Sequence, residues 1–355
     1  MPVQLTWRRF ELQLEHRWTI ARTQRADGPG GDARQTIVLV RLEAPDGSFG
    51  VGEAAPCARY RESPETVEAF LRRVDPDRLH FDDLAASSRY LASLSGGDHS
   101  AKGAVDIALV DGAAKRAGKP VTDFLGVGFT EGRHKTSFSI GIDRPEVVRE
   151  KVLQAAALPI LKLKLGSPDD RLLFRALREA APEKPVRVDA NEAWHTKEEA
   201  LRQIEWLAED RRVQFVEQPM PAGTAPADLA WLKERSPLLL MADEGYERAE
   251  AIEQVVPAYH AVNVKLVKTG GITPGLRALQ TARAAGLKTM LGCMIETSVL
   301  ITAAAHLADL TDYLDLDGNL LITNDPYQGV QAVEGRLSFA NAPAATGLRV
   351  SAREV

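Results

Sequence analysis

From residue 137 onward, short apolar runs alternate with amphipathic stretches of helical length. The runs Ser137–Ile142, Ile160–Leu165, Val186–Ala190, Gln214–Glu217, Leu238–Asp243, Ala261–Val267, Thr289–Leu291 and Tyr313–Asp315 have the length of strands. Eight strands separated by helices predict a parallel sheet. That many consecutive units favour closure into a TIM-type β/α barrel over an open doubly wound sheet.

The first 125 residues or so carry a different pattern. Gln4–Trp18 reads as an extended pair of strands, and Thr36–Glu43 alternates as a half-buried strand. Ser48–Ala54 returns as another strand after the turn residues Pro45, Asp46 and Gly47. Three helices are expected next, from Ser63, from Phe81, and from Asp98 to about Ala117. The Gly-rich stretch Ala26–Asp32 lacks the lysine and Ser/Thr of a phosphate loop and reads as a plain loop.

Charge at the strand ends turns the pattern toward chemistry. In order, the ends carry Lys162-Leu163-Lys164, Asp189, Glu217, Asp243, Lys265 and Asp315-Leu316-Asp317. Successive positions lie one β/α repeat apart, or two for the last step, so in a barrel they converge on one pocket at the C-terminal face. Side-chain alternation puts Lys162 with Lys164, and Asp315 with Asp317, on one face of their strands. Charges in apolar strands are costly unless paired or bound to metal. Asp189, Glu217 and Asp243 offer oxygen ligands alone, which suits a hard cation, Mg²⁺ before Ca²⁺ or Mn²⁺. Lysines flank the three carboxylates, Lys164 before and Lys265 after. Burial, a cation and the second ammonium of Lys162 would each lower the affinity of such a lysine for its proton. A metal that can stabilise an enediolate, with an amine on either side, can move a proton from one face of a carbon to the other, which is racemisation or epimerisation. A lyase needs one base only, with the other lysine as a fixed cation, and that alternative stays open on the lysines alone. A non-catalytic binding barrel gains little from two lysines beside a metal.

Composition narrows the setting. The chain has 355 residues, 45% of them hydrophobic, and 44 basic against 49 acidic side chains for a formal charge of −5. A large core and about two domains follow, with no basic footprint for nucleic acid. Cys57 and Cys293 are too few for a disulfide framework or a structural zinc site. The N-terminal segment, with Arg8 and Arg9, has no apolar h-region, and no run reaches the length of a membrane span, so a soluble, cytoplasmic protein is expected. Nothing in the sequence sets the oligomeric state, and a homo-oligomer is compatible with it.

The strand-end segments Lys162-Leu-Lys-Leu-Gly166, Arg187-Val-Asp-Ala-Asn-Glu-Ala-Trp194, Val216-Glu-Gln-Pro219, Ala242-Asp-Glu-Gly245, Asn263-Val-Lys-Leu-Val-Lys-Thr-Gly-Gly271 and Gly292-Cys-Met-Ile-Glu-Thr-Ser298 together resemble the enolase superfamily. Within it they are similar to the muconate-lactonizing-enzyme subgroup and most of all to its dipeptide epimerases; Gly50-Val-Gly-Glu-Ala-Ala-Pro56 fits the same family's N-terminal domain. The resemblance implies a modified (β/α)₇β barrel over residues 126–328, under an α+β capping domain of residues 1–125 joined by the tail 329–355. It implies Mg²⁺ on Asp189, Glu217 and Asp243, Lys164 and Lys265 as the two acid/base groups, and Lys162 tuning Lys164. Lys268 falls in the loop after the sixth strand, off the parity of the ring, and is expected to be dispensable.

Muconate cycloisomerases and o-succinylbenzoate synthases share the lysines and the acidic triad, and a lyase of that kind is the alternative. Asp315 and Asp317 favour the epimerase, because in that subgroup such a pair holds the ammonium of a dipeptide, and opposite charges make this chemically sensible. The implied activity inverts the α-carbon of the C-terminal residue of a dipeptide such as L-Ala-L/D-Glu. Arg22 and Arg25, before the Gly-rich loop, would suit an acidic C-terminal residue. Asp27 and Asp32 would instead favour a basic one. Arg59 and Arg61 mark a second lid segment, for which solvated surface arginines are an equal reading. Ser139, in the first barrel strand, is expected to meet the substrate backbone. Glu296 and Ser298 read equally as helix-capping residues, and His195 and His306 as structural ones.

Overall fold

In the computed structural model the residues described are 3–24 and 31–354. The N-terminal part is a three-stranded antiparallel sheet of β1 (Gln4–Trp18), β2 (Asp32–Glu43) and β3 (Phe49–Ala54), in that order. Gln4–Trp18 is one continuous strand rather than two. It pairs residue for residue with β2 from Gln4 opposite Glu43 to Gln13 opposite Arg34, because no glycine or proline within it offers a turn. Four helices follow: α1 (Pro64–Leu71), α2 (Leu84–Leu94), α3 (His99–Arg116) and α4 (Val121–Leu125). The first two begin where side-chain caps permit, with Ser63 accepting from the Thr66 amide and Asp83 from the Ala86 amide. Buried α3 packs directly on β3. A Cβ at Gly50 or Gly52 would collide with the Ala108 or Ala104 carbonyl of α3, so these two strand positions admit only glycine.

The second part alternates strand and helix through β4 (Phe138–Ile140), α5 (Pro145–Gln154), β5 (Leu161–Lys164), α6 (Asp170–Ala180), β6 (Val186–Asp189), α7 (Lys197–Ala208), β7 (Val213–Glu217), α8 (Pro226–Arg235), β8 (Leu239–Ala242), α9 (Ile252–Val255) and β9 (Ala261–Val264). It continues through α10 (Leu266–Thr269), α11 (Ile272–Ala284), β10 (Lys288–Gly292), α12 (Ser298–Ala305) and β11 (Tyr313–Asp315). The eight strands β4–β11 lie side by side in chain order, all parallel. The Ser137 amide donates to the Leu314 carbonyl at 3.1 Å and closes the ring. The expected strand Ala261–Val267 stops at Val264, and the chain turns at once into the short helix α10, so Lys268 is helical rather than in a loop.

Alternation divides the barrel strands between two cores. Leu163, Val188, Val216, Leu240, Val262 and Leu291 point outward into the layer shared with the helices. Phe215, Met241, Ala261 and Met290 point inward and plug the barrel. Full burial of such side chains stabilises by roughly 1.5–3 kcal/mol each. The plug forms a dry floor, and inward residues nearer the strand ends stand on it. Arg187 marks the transition: its guanidinium lies against the Phe215 and Tyr313 rings and donates to Ser137 Oγ.

The tail adds two small pairs, β12 (Tyr327–Gln328) with β15 (Ser351–Ala352) and the hairpin β13 (Gln331–Val333) with β14 (Arg336–Ser338). It touches both parts of the chain: the Leu348 amide donates to Asp111 of α3, and the Thr136 amide to the Gly335 carbonyl. No helix among the described residues is long and apolar enough to cross a membrane.

Candidate active site

Strand register sets the height of the charged groups. Lys164 lies opposite Asp189, and Asp189 opposite Glu217, at the C-terminal ends of β5, β6 and β7. Asp243 and Lys265 immediately follow β8 and β9. Carboxylate oxygens of Asp189, Glu217 and Asp243 lie within 4.8 Å of one another, and all three residues are buried. The loops leaving two of these strands are strained: Asn191, Glu192 and Gln218 adopt positive φ of 44°, 70° and 38°. Non-glycine residues hold such conformations where the surroundings over-determine them. Here the Asn191 amide donates to Asp189 Oδ1 at 2.9 Å, and Gln218 Oε1 accepts from the amides of Asp243 and Gly245.

Each acid of the triad meets a lysine. Lys164 Nζ lies 2.6 Å from Asp189 Oδ2, Lys162 Nζ 2.7 Å from Glu217 Oε2, and Lys265 Nζ 2.8 Å from Asp243 Oδ2. Lys162 also reaches Asp315 at 2.7 Å and Asp189 at 3.2 Å. Burial by itself would weaken the hold of Lys162 on its proton, but Asp315, Glu217 and Asp189 outweigh it and keep the group an ammonium. Lys265 is likewise raised, with Asp243 and Glu217 overcoming burial. Among the acids, burial is opposed at Asp189 by Lys164 and Lys162, which hold it down at about 2. Glu217 goes the other way: burial and the Asp189 charge push it up to about 7.

Glu217 is therefore the least compensated member, and the surrounding oxygens repeat the point. Glu244 Oε2, Asn191 Oδ1 and Asn263 Oδ1 are buried acceptors without a hydrogen-bond donor, and Glu217 Oε2 is held by the ion pair with Lys162. Buried oxygens left without donors, beside three converging carboxylates, are a donor set that fits a hard divalent cation.

Above the ring is a cavity of about 460 Å³, lined by Lys162, Lys164, Asp243, Lys265, Asp315 and Asp317 from the barrel. Trp18, Ile20, Pro56 and Tyr60 close it from the N-terminal part. Glu53 of β3 ties that lid to the barrel, accepting from the Thr297 amide at 2.9 Å, from the Thr297 hydroxyl and from the Leu300 amide at the start of α12. Asp315 is occupied by Lys162 and by Ser137 Oγ at 2.7 Å. Asp317 Oδ2 accepts from the Ser139 amide at 2.6 Å, while its Oδ1 meets only the Cys293 thiol at 3.6 Å. It is thus the backbone of Ser139 that positions Asp317.

Sequence and structure part company at several residues. Arg22 lines the cavity, yet its guanidinium is engaged by Glu244 at 2.5 Å and Glu192 at 3.2 Å. Arg59 makes a two-pronged pair with the same Glu192 at 2.7 and 2.8 Å. Arg25 and Asp27 lie outside the described residues. Thr297, between Glu296 and Ser298, is the residue that caps α12. Lys268 does reach the ring, donating to Asp243 Oδ1 at 2.6 Å, which corrects its expected place off the ring. Asn191, which lines the cavity, and Glu192, which pairs with Arg22 and Arg59, are further site residues whose signal in the sequence is adjacency to Asp189. Strand parity does not extend to Lys268, because α10 begins at Leu266.

Known proteins place these features. The model for "Enolase C-terminal domain-like" matches residues 146–350, and that for the "Mandelate racemase / muconate lactonizing enzyme, N-terminal domain" matches residues 15–126. An L-Ala-D/L-amino acid epimerase of Pedosphaera parvula is 56% identical over 343 residues, covering 97% of this chain and 98% of that protein. The structure of a dipeptide epimerase from Enterococcus faecalis, complexed with Mg and the dipeptide L-Leu-L-Tyr, superposes with a TM-score of 0.87 at 29% identity, covering 99% of this chain and 100% of that one. A substrate-liganded L-Ala-D/L-Glu epimerase from Bacillus subtilis gives a TM-score of 0.89 at 26% identity, covering 100% and 99%.

Proposed function

The chain belongs to the mandelate racemase/muconate lactonizing enzyme family of the enolase superfamily, and from this membership we propose that it is a Mg²⁺-dependent dipeptide epimerase. It inverts the α-carbon of the C-terminal residue of a dipeptide by two-base proton transfer. The observation that carries the reading is the pair Lys164 and Lys265, paired with Asp189 and Asp243 at either flank of the acidic triad, below a cavity that also holds Asp315 and Asp317.

Asp189, Glu217 and Asp243 would hold the cation, which supplies positive charge to the substrate carboxylate and so eases loss of the α-proton. In one direction Lys164, as the free amine, takes the α-proton from its face while the Lys265 ammonium returns a proton to the other. In the reverse direction the roles exchange. Lys162, ion-paired with Asp315, Glu217 and Asp189, is a fixed positive charge two residues from Lys164. Asp317, with Asp315 behind it, receives the dipeptide ammonium, which fixes which carbon lies between the lysines. Trp18 and Tyr60 exclude water from above. The test is incubation of L,L-dipeptides with enzyme and Mg²⁺ in D₂O. Deuterium is expected at the C-terminal residue's α-carbon, together with the L,D product and an intact peptide bond. Absence of exchange across a panel of acidic, basic and apolar dipeptides would refute it.

A further inference from the structure

Lys268 is the ammonium that the proton-transfer scheme leaves unused. It is fully buried on the first turn after β9, and its Nζ meets four oxygens: Asp243 Oδ1 at 2.6 Å and the carbonyls of Asp243 at 2.6 Å, Asn263 at 3.0 Å and Tyr246 at 3.2 Å. An ammonium has three protons, so this cage saturates it and leaves no donor to offer a substrate. Its partners belong to the end of β9 and to the turn after β8, the two segments that carry Lys265 and Asp243.

The consequence lies in how Asp243 is shared. One carboxylate oxygen, Oδ1, is taken by Lys268, while the other, Oδ2, faces Lys265 at 2.8 Å. With its amide on Gln218 Oε1 at 2.9 Å and its carbonyl on Lys268, Asp243 is gripped at the amide, the carbonyl and the carboxylate. A carboxylate held in this way cannot rotate to present both oxygens to a cation, so Oδ2 alone is left for the triad and for Lys265.

We propose that Lys268 is a positioning residue: it reserves Oδ1 of Asp243, and thereby sets which oxygen meets the metal and how far Lys265 stands from the reacting carbon. The proposal rests on the epimerase reading for the role of Lys265, but its claim about the carboxylate stands on the chain's own contacts. It predicts an asymmetry. A group that only supports the fold would, on removal, slow both faces of the reaction alike. A group that positions Asp243 and Lys265 affects the Lys265 face most.

The experiment is Lys268→Met, a side chain of similar length without the charge, alongside Lys268→Gln, which keeps an N–H donor. Mg²⁺ binding is read by calorimetry without substrate, and α-proton exchange in D₂O is read separately from the L,L and L,D epimers. Losing a residue that orients a ligating carboxylate typically costs about 10–100-fold in metal affinity or activity, and a loss in that range is expected for Mg²⁺ with Lys268→Met. Exchange on the Lys265 face should fall roughly tenfold further than on the Lys164 face, with Lys268→Gln between. Unchanged Mg²⁺ affinity, or equal loss on both faces, would overturn the proposal. Should neither variant fold, the crystal structure of the wild-type Mg²⁺ complex decides. Asp243 must then meet the ion through Oδ2 with Lys268 still on Oδ1, and coordination through Oδ1 would overturn the proposal. Failure of wild-type enzyme to exchange any dipeptide would sink the epimerase reading instead, leaving calorimetry and the crystal structure to judge Lys268.

Discussion

Replacing Asp317 by Asn should separate recognition of the substrate ammonium from support of the barrel. The two acids at the end of β11, Asp315 within it and Asp317 just beyond, differ in what they already hold. Asp315 is spent on Lys162 and Ser137, whereas Asp317, also lining the cavity, has a thiol at 3.6 Å beside its Oδ1. Burial and the Asp315 charge push Asp317 up to about 6, the state of an acid that lacks a cation. An arriving ammonium supplies that cation. Asn keeps an oxygen for the Ser139 amide and removes only the charge, so the loss is that of one hydrogen bond to a charged group, about 1.5–3 kcal/mol. At about 1.4 kcal/mol per decade this is roughly a 10–150-fold rise in KM for the dipeptide. The assay compares the dipeptide with its N-propionyl counterpart, which has the same outline and no amine. The KM penalty should be confined to the dipeptide, and kcat should move less. An equal penalty on both, or none on either, would refute the assignment. Asp315→Asn should behave differently, since it strips Lys162 of a buried partner. A loss of about 3–5 kcal/mol in unfolding free energy is expected from breaking such a pair, with weaker discrimination between the two substrates.

Three further outcomes follow from the geometry. Glu217→Gln should leave a cooperatively folded protein whose Mg²⁺ affinity, read by calorimetry, falls at least about tenfold, because an oxygen site with few protein ligands loses one charge; normal affinity would remove Glu217 from the metal site. Lys164→Ala and Lys265→Ala should each abolish net epimerisation while each keeps α-proton exchange on one epimer only, the opposite one in each case, by deuterium uptake; exchange of both epimers by either variant would break the two-base scheme. Glu53, buried at the junction of lid and barrel, is pushed up to about 7 from an ordinary 4.5 by burial, against the donors of Thr297. The folded state holds that proton more tightly than the unfolded one, so the stabilisation is full below about 4.5 and is lost as pH rises toward 7. The window of about 2.5 units corresponds to roughly 3 kcal/mol. Urea unfolding of wild type and Glu53→Gln at pH 4.5 and 8 isolates this group from other titrations, and parallel profiles for the two proteins would contradict it.

The eight barrel strands, the helix start at Ser63, and the convergence of Lys164, Asp189, Glu217, Asp243 and Lys265 are consequences of local pattern, whereas the second helix, expected from Phe81, begins only after the Asp83 cap. Alternation along a strand and the spacing of repeats are properties of near neighbours in the chain, and a barrel converts equal spacing into one ring. The partners of each charge follow no such rule. Arg22 reads as a free cation for an acidic substrate until the fold brings Glu244 and Glu192 against it from two other strand ends. Asp315 and Asp317 look equivalent in sequence, yet Lys162 of β5 and the Ser137 hydroxyl occupy the first and leave the second to the Ser139 amide. Lys268 seems idle by strand parity, and becomes the anchor of Asp243 because β9 ends at Val264 and the next turn is helical. Periodicity decides which way a side chain points. Neutralisation of its charge depends on groups that are distant along the chain and close in space, and only the closed barrel with its lid brings those together.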